Sequence, residues 1–265
     1  METQKNQNNI LFRCSRLGEL MTGVTSLTSK QKELYIQYSE RNAGAGKPLT
    51  ENQLIEFGKL IEKKNNTEIG DTAKSFVLDT FLQNEFGYKD VVTNDAMMKG
   101  LLLESDAIAL VSKFENKFYK KNKERKSNNW IMGELDVKAI DHIKDIKVSK
   151  DLKTFAKVTE VKKQYYYQAL GYMWLWDIPK YSLTYVLLPN TEEMIERQCS
   201  RLSFNLVGED YEIAKDQIIQ NNKVIEKLPI EMRIKTFDFE YNEDDIENLK
   251  EQILRAREYY KTLKI

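Results

Sequence analysis

The chain has 265 residues, with 41 Lys/Arg against 41 Asp/Glu, so its formal net charge is zero. A composition of 41% hydrophobic and 11% aromatic residues suits a folded domain rather than a disordered chain, and the length favours one large domain over two. The single histidine, His142, excludes any metal site that needs two, and the two cysteines, Cys14 and Cys199, exclude a four-cysteine zinc or iron–sulfur centre.

Enzymatic chemistry would therefore rest on carboxylates, lysines, hydroxyls and a hard cation. The N-terminal run Met1-Glu2-Thr3-Gln4-Lys5-Asn6 is polar, with no apolar signal core, and no apolar run approaches the roughly 20 residues needed to span a bilayer. Two cysteines far apart also suit a reducing compartment, so a soluble cytoplasmic protein is expected.

In chain order, residues 15–22 read as a short helix with Ser15 as N-cap. The Gly- and Pro-containing stretch 41–48 reads as a loop. It is not a P-loop, because the Gly spacing is wrong and Pro48 follows Lys47. Helices are expected at 50–64 and 71–86, where Leu54, Phe57 and Ile61, then Phe76, Val77 and Phe81, recur at helical spacing. A long helix is expected at 96–124, starting near Asp95. Strands follow at 130–140 and 143–149, a helix at 158–176, and a strand at 181–188 ended by Pro189. Helices at 191–201, 208–227 and 243–262 complete the chain. The last of these carries Ile246, Leu249, Ile253, Ala256, Tyr260 and Leu263 on one stripe.

Zero net charge conceals an asymmetry. Residues 112–163 hold 15 basic against 8 acidic residues, and residues 190–265 hold 12 against 17. The basic run Lys117–Lys126 could follow a phosphate backbone, or could simply be a solvated face.

The segment 133–148 carries the chemistry. Leu135, Val137 and Ala139 alternate with Glu134, Asp136 and Lys138, and Ile146 and Val148 alternate with Asp145 and Lys147. That is the period of strands with one buried face, joined by a short polar turn at Asp141-His142. In an antiparallel pair with an even-length turn, Asp136, Asp145 and Lys147 share a face, with cross-strand neighbours about 5 Å apart. Two such carboxylates repel unless one takes a proton or a cation lies between them, and Mg²⁺ is the usual hard cation beside phosphates. The acid-x-Lys triplet alone carries nothing, since it also starts at Glu62, Glu115, Glu124, Asp136, Asp151 and Glu160. The alternation around Asp145-Ile146-Lys147 sets it apart. Glu160-Val161-Lys162 is the rival, without that alternation.

Gly133-x-x-Asp136 followed by Asp145-x-Lys147 resembles the core of the PD-(D/E)xK nuclease superfamily. Gln168-Ala169-Leu170-Gly171-Tyr172 resembles the Gln-x-x-x-Tyr element of its RecB-like and Cas4-like members. The run from Asp145 to Ser149, Phe155-Ala156-Lys157 and Tyr167 to Tyr172 is similar to phage recombination exonucleases of the YqaJ, lambda-exonuclease and RecE-like types. Gly100 to Ala107 resembles their Gly-x-x-x-Glu-x-x-Ala helix, and Arg13 to Gly18 their segment at the DNA end. The resemblance covers about residues 10–190. Asp145 stands where Glu is frequent, and no Pro precedes Asp136.

The resemblance implies an α/β restriction-endonuclease-like fold: a small mixed sheet flanked by helices, in a single nuclease domain with a core at about 10–190 and a helical extension at about 191–265. It implies a metal-dependent exonuclease acting on duplex DNA ends in phage-type recombination. The alternatives are a structure- or site-specific endonuclease, or a silent DNA-binding module. Asp136, Asp145, the Ile146 carbonyl and Glu104 would hold one or two Mg²⁺ or Mn²⁺ ions. Lys147, Gln168 and Tyr172 would complete the catalytic set, and Arg13, Ser15, Arg16, Lys157 and Lys162 would contact DNA. A single-strand annealing protein and a homo-oligomer are the implied protein partners, in the cytoplasm of a bacterium or phage-infected host, with no membrane.

Overall fold

The 143–149 alternation becomes an inner strand of a mixed four-stranded sheet. In the computed structural model, which describes residues 10–23, 27–66, 68–91 and 94–265, this sheet runs β4 (Val137–Lys138), β5 (Ile143–Val148), β6 (Lys180–Val186) and β7 (Ile234–Glu240). The N-terminal run Met1–Asn6 lies outside the described residues. β5 and β6 are parallel, and the two outer pairs are antiparallel. Parallel neighbours need a crossover, and helices α6 (Leu152–Ala156) and α7 (Lys163–Trp176) lie within it.

Side-chain direction along β5 decides which helix covers which face. Ile143 joins the main core with Leu170 and Met173 of α7. Ile146 and Val148 face the other way and pack with Leu103, Ala107 and Val111 of α5 (Asp95–Phe114). The sheet is thus covered by α7 on one face and α5 on the other, an α/β fold with a small mixed sheet flanked by helices. A second sheet, ordered β1 (Phe12–Arg13), β3 (Ile131–Glu134), β2 (Arg125–Ser127), packs beside it.

The expected strand 130–140 is two strands. Leu135 is buried in the main core, whereas Val137 is buried in the α5 cluster. A continuous pleat would put both on one face, so the chain bends at Leu135-Asp136 and passes from one sheet to the other. The expected helix 96–124 stops at Phe114. Glu115 there is held by the Lys144 ammonium at 2.7 Å and by the Tyr119 hydroxyl at 2.6 Å, and Asn116 adopts φ +51°. The helix expected at 158–176 starts only at Lys163. The loop before it is fixed by Lys235 Nζ, which donates to the carbonyls of Phe155 (2.9 Å) and Val158 (2.8 Å).

Residues 15–22 split into a 3₁₀ turn at Cys14–Arg16 and a four-residue α1 (Leu17–Leu20). Ser15 lies inside the turn and caps nothing; Arg16 holds the N-cap position. An unanticipated helix, α2 (Ser29–Asn42), opens with a capping box in which Thr28 and Gln31 exchange side-chain-to-backbone bonds. The expected helices α3 (Glu51–Asn65), α4 (Asp71–Phe86), α8 (Glu192–Leu202), α9 (Gly208–Lys227) and α10 (Glu243–Thr262) form within a residue or two of their anticipated bounds.

The segment read as a helical extension is more than that. All seven residues of β7 pair with β6, and Ile246, Leu249, Ile253 and Ala256 of α10 are fully buried in the main core. No described helix is long and apolar enough to cross a membrane.

Candidate active site

The β4–β5 register pairs Val137 with Lys144, so Asp136 and Asp145 stand opposite each other where β4 begins. Lys147 follows two residues along β5, on the α7 side with Asp145. This is the shared face that the even-length turn requires, and the turn closes with Ala139 N–H donating to the His142 carbonyl at 2.9 Å. His142 sits at that turn, with Nε2 2.5 Å from Ser182 Oγ; Ser182 in turn donates to Asp238 at 2.6 Å.

Asp136 Oδ2 accepts from the Ile146 backbone N–H at 2.8 Å. The carboxylate replaces a ladder partner at the point where β4 leaves β5. In a strand, the N–H and C=O of one residue point to the same side, so the Ile146 carbonyl also faces Asp136. Asp145 is 2% exposed. Its Oδ1 accepts from Gln168 Nε2 at 3.0 Å, and its Oδ2 lies 2.7 Å from Lys147 Nζ in an ion pair.

Burial, and next to it the charge of Asp145, push the Asp136 carboxyl up to about 7; Lys147 and the Ile146 N–H oppose the shift. Burial works against the Lys147 ammonium, but Asp145 and Asp136 overcome it and hold its pKa above the ordinary lysine value. Lys147 also lies 5.9 Å from the centroid of the Tyr165 ring, on the same side as Tyr185.

Tyr172 is not a donor into this cluster. Its hydroxyl donates to the Glu134 carbonyl at 2.8 Å, and its buried ring is parallel to that of Tyr181 at 6.4 Å. It pins the end of β3, which sets where Asp136 begins. Gly133 makes that approach feasible, because a Cβ there would lie 2.8 Å from Tyr172 Cε1 and 3.1 Å from Cys14 Cβ.

Glu104 lies on α5, near enough to raise the Asp136 pKa further. It is hydrogen-bonded to the Lys121 ammonium. Lys121 is delivered by an isolated antiparallel bridge to Val137, reinforced by Asn122 N–H donating to the Asp136 carbonyl at 2.7 Å. Sequence spacing gave no signal for Lys121, since its partners are 15–17 positions away and it is one cation among many. Among the described residues, no three acidic, histidine or cysteine side chains form a ready ligand set.

The other candidates sit elsewhere. Arg16 is held by Glu19 (2.6 Å) and Asp79 (2.9 Å) and lies over the Phe76 ring at 4.3 Å. Arg13 donates to Gln83 at 2.8 Å, and Ser15 is exposed. Lys157 and Lys162 are exposed on the α6–α7 loop, which also contains the rival Glu160-Val161-Lys162. The structure therefore brings Asp136, Asp145, Ile146, Lys147 and Gln168 together, with Glu104 beside them, and leaves Arg13 and Arg16 in bonds of their own.

No family model and no curated protein matches the chain. Solved structures do. The chain is similar to a phage-related exonuclease from Haemophilus somnus 129PT at 25% identity and a TM-score of 0.66, over 95% of this chain and 94% of that one. It is also similar to LHK-Exo, an alkaline exonuclease from Laribacter hongkongensis, at 11% identity and a TM-score of 0.55, over 96% of this chain and 89% of that one; LHK-Exo has also been solved with dAMP. The fold of this chain is one found in exonucleases.

Proposed function

We propose that this chain is a metal-dependent deoxyribonuclease of the PD-(D/E)xK kind that hydrolyses phosphodiester bonds from duplex DNA ends. The observation that carries the reading is the convergence of Asp136, Asp145 and Lys147 at the β4–β5 junction in a fold shared with exonucleases.

The residues fit a hard divalent cation. The Asp145 and Asp136 carboxylates oppose each other across the β4–β5 pair, and the Ile146 carbonyl faces the same space, which gives oxygen donors suited to such an ion. Asp136, Asp145 and Ile146 would hold Mg²⁺ or Mn²⁺, with Glu104 as a further carboxylate. The ion would supply Lewis-acid polarisation of the phosphate and a more acidic water.

The chain's own groups do the rest. Lys147, kept as ammonium by its two carboxylate neighbours, stabilises negative charge on the phosphoryl oxygens. Gln168 donates through Nε2 to Asp145, which fixes that carboxylate's orientation. The exposed Lys157 and Lys162, with the run Lys117–Lys126, neutralise backbone phosphates, so affinity for DNA falls steeply with salt. A role in phage-type recombination, alongside a single-strand annealing protein and in a homo-oligomer, follows from the same resemblance.

The test offers end-labelled linear duplex and a covalently closed circle with Mg²⁺, and again with EDTA. Loss of the linear DNA only, and only with metal, is the expected result. Cutting of the circle would instead make it an endonuclease, and no cleavage of either would make it a binding module.

A further inference from the structure

We infer that Lys121 is the counter-ion of Glu104, displaced when a divalent cation binds beside it and thereby released to hold substrate phosphate. The inference rests on the proposed nuclease reading and deepens it.

Three observations converge. Lys121 donates to Glu104, a carboxylate close enough for its charge to act on Asp136. Its backbone is fixed beside β4 by the Val137 bridge and the Asn122–Asp136 bond, so the ammonium is set at the site by the fold rather than by a wandering side chain. The side chain is nonetheless 46% exposed, which leaves it room to swing outward.

A dication and an ammonium competing for one carboxylate repel each other, so entry of the metal loosens the Lys121–Glu104 bond. The freed ammonium then joins the exposed Lys117, Lys120, Lys123 and Arg125 of the same run, where the nearest anion would be the DNA backbone. Metal and DNA binding become coupled, each strengthening the other. Without metal, Lys121 is occupied and contributes little to DNA binding.

The test replaces Lys121 by Met, which keeps the aliphatic stem. Mn²⁺ affinity is measured by titration calorimetry. An exposed pair of this kind sets the scale, so K121M should bind Mn²⁺ roughly two- to fivefold more tightly than wild type. DNA affinity is then measured against salt in a Lys147→Met background, whose slowed cleavage leaves the DNA intact during the measurement. With Mn²⁺, K121M should weaken binding and lower the slope of log affinity against log salt by about 0.9. In EDTA, the slope should not change. A purely structural lysine would weaken both ligands, and an ordinary surface lysine would lower the slope equally with and without metal. Either pattern, or unchanged Mn²⁺ affinity, overturns the inference while leaving the nuclease reading intact. Wild-type protein that binds no Mn²⁺, or binding that survives Asp145→Asn undiminished, removes the nuclease reading and this inference together.

Discussion

Lys147 meets both the buried Asp145 and the half-buried Asp136, and its role separates cleanly from theirs. Lys147→Ala should reduce cleavage by about 10²–10³-fold, the scale for loss of one charge-stabilising donor. Mn²⁺ affinity should persist, because the oxygen ligands remain. Equal loss of metal binding would make Lys147 a structural counter-ion instead. Asp136 gives a second, pH-dependent signature. A carboxyl pushed up to about 7 binds its proton more tightly folded than unfolded. Its contribution is therefore greatest below the ordinary aspartate range near 3.9 and is lost as pH rises toward about 7. Metal-free wild type should lose melting temperature relative to Asp136→Asn between pH 5 and pH 8, and saturating Mn²⁺ should reverse the order, because wild type then gains binding stabilisation that the variant, short of one ligand, lacks. A pH-independent difference would show that Asp136 does not titrate there. These acids and Lys147 were legible in the sequence because strand alternation and turn length alone set their common face. The Lys121–Glu104 bond was not legible, because an isolated bridge between segments 16 residues apart sets it.

At the scale of elements, the site depends on close packing of the N-terminal turn and α1 against α7. A Cβ on Gly18 would lie 2.3 Å from Gln164 Cα and 2.5 Å from its carbonyl oxygen, which are backbone atoms of α7. A Cβ on Gly171 would lie 2.3 Å from Leu17 Cδ1, the far end of a side chain that can change rotamer. Gly18→Ala should therefore destabilise by the upper part of the overpacking range, about 1–3 kcal/mol, and Gly171→Ala by less. Thermal melts of the two variants decide it, and the reverse order would mean that the backbone yields more readily than Leu17. Gln168 rides on the same helix three residues beyond Tyr165, so Gly18→Ala should also slow cleavage by shifting α7 away from Asp145. Helical spacing made α7 itself visible, along with α3, α4, α8, α9 and α10. It misled at 115–124, where buried Lys144 holds Glu115 and the left-handed Asn116 ends the helix. Local propensity carried no trace of that tertiary contact.

At the scale of the molecule, a nuclease core ending near residue 190 is an incomplete sheet. Without β7, β6 would become an edge strand paired only with β5, and its Leu183 and Val186, which are fully buried, would sit at that edge. Without α10, the main core would lose Ile246, Leu249 and Ile253, each fully buried. Burial of three such side chains contributes about 1.5–3 kcal/mol each, a sum comparable to the about 5–15 kcal/mol that holds a whole domain folded. Two polar ties would go as well: Arg257, which donates to the Ile10 carbonyl at 2.9 Å, and Tyr166, whose hydroxyl donates to Asp245 at 2.6 Å. The Lys235 ammonium, which orders the loop carrying Lys157 and Lys162, belongs to β7. Stripe spacing revealed α10 but could not say what it packs on, and β7 was missed because only Ile234 in it is buried outright. A chain truncated after residue 190 should lack a cooperative thermal transition and show broadened amide signals by NMR, with no metal-dependent cleavage. A chain truncated after residue 262, which leaves α10 whole, should melt with wild type. A cooperative melt from the 190-residue form would show that the last 75 residues are the separable extension that their charge and helical spacing suggest.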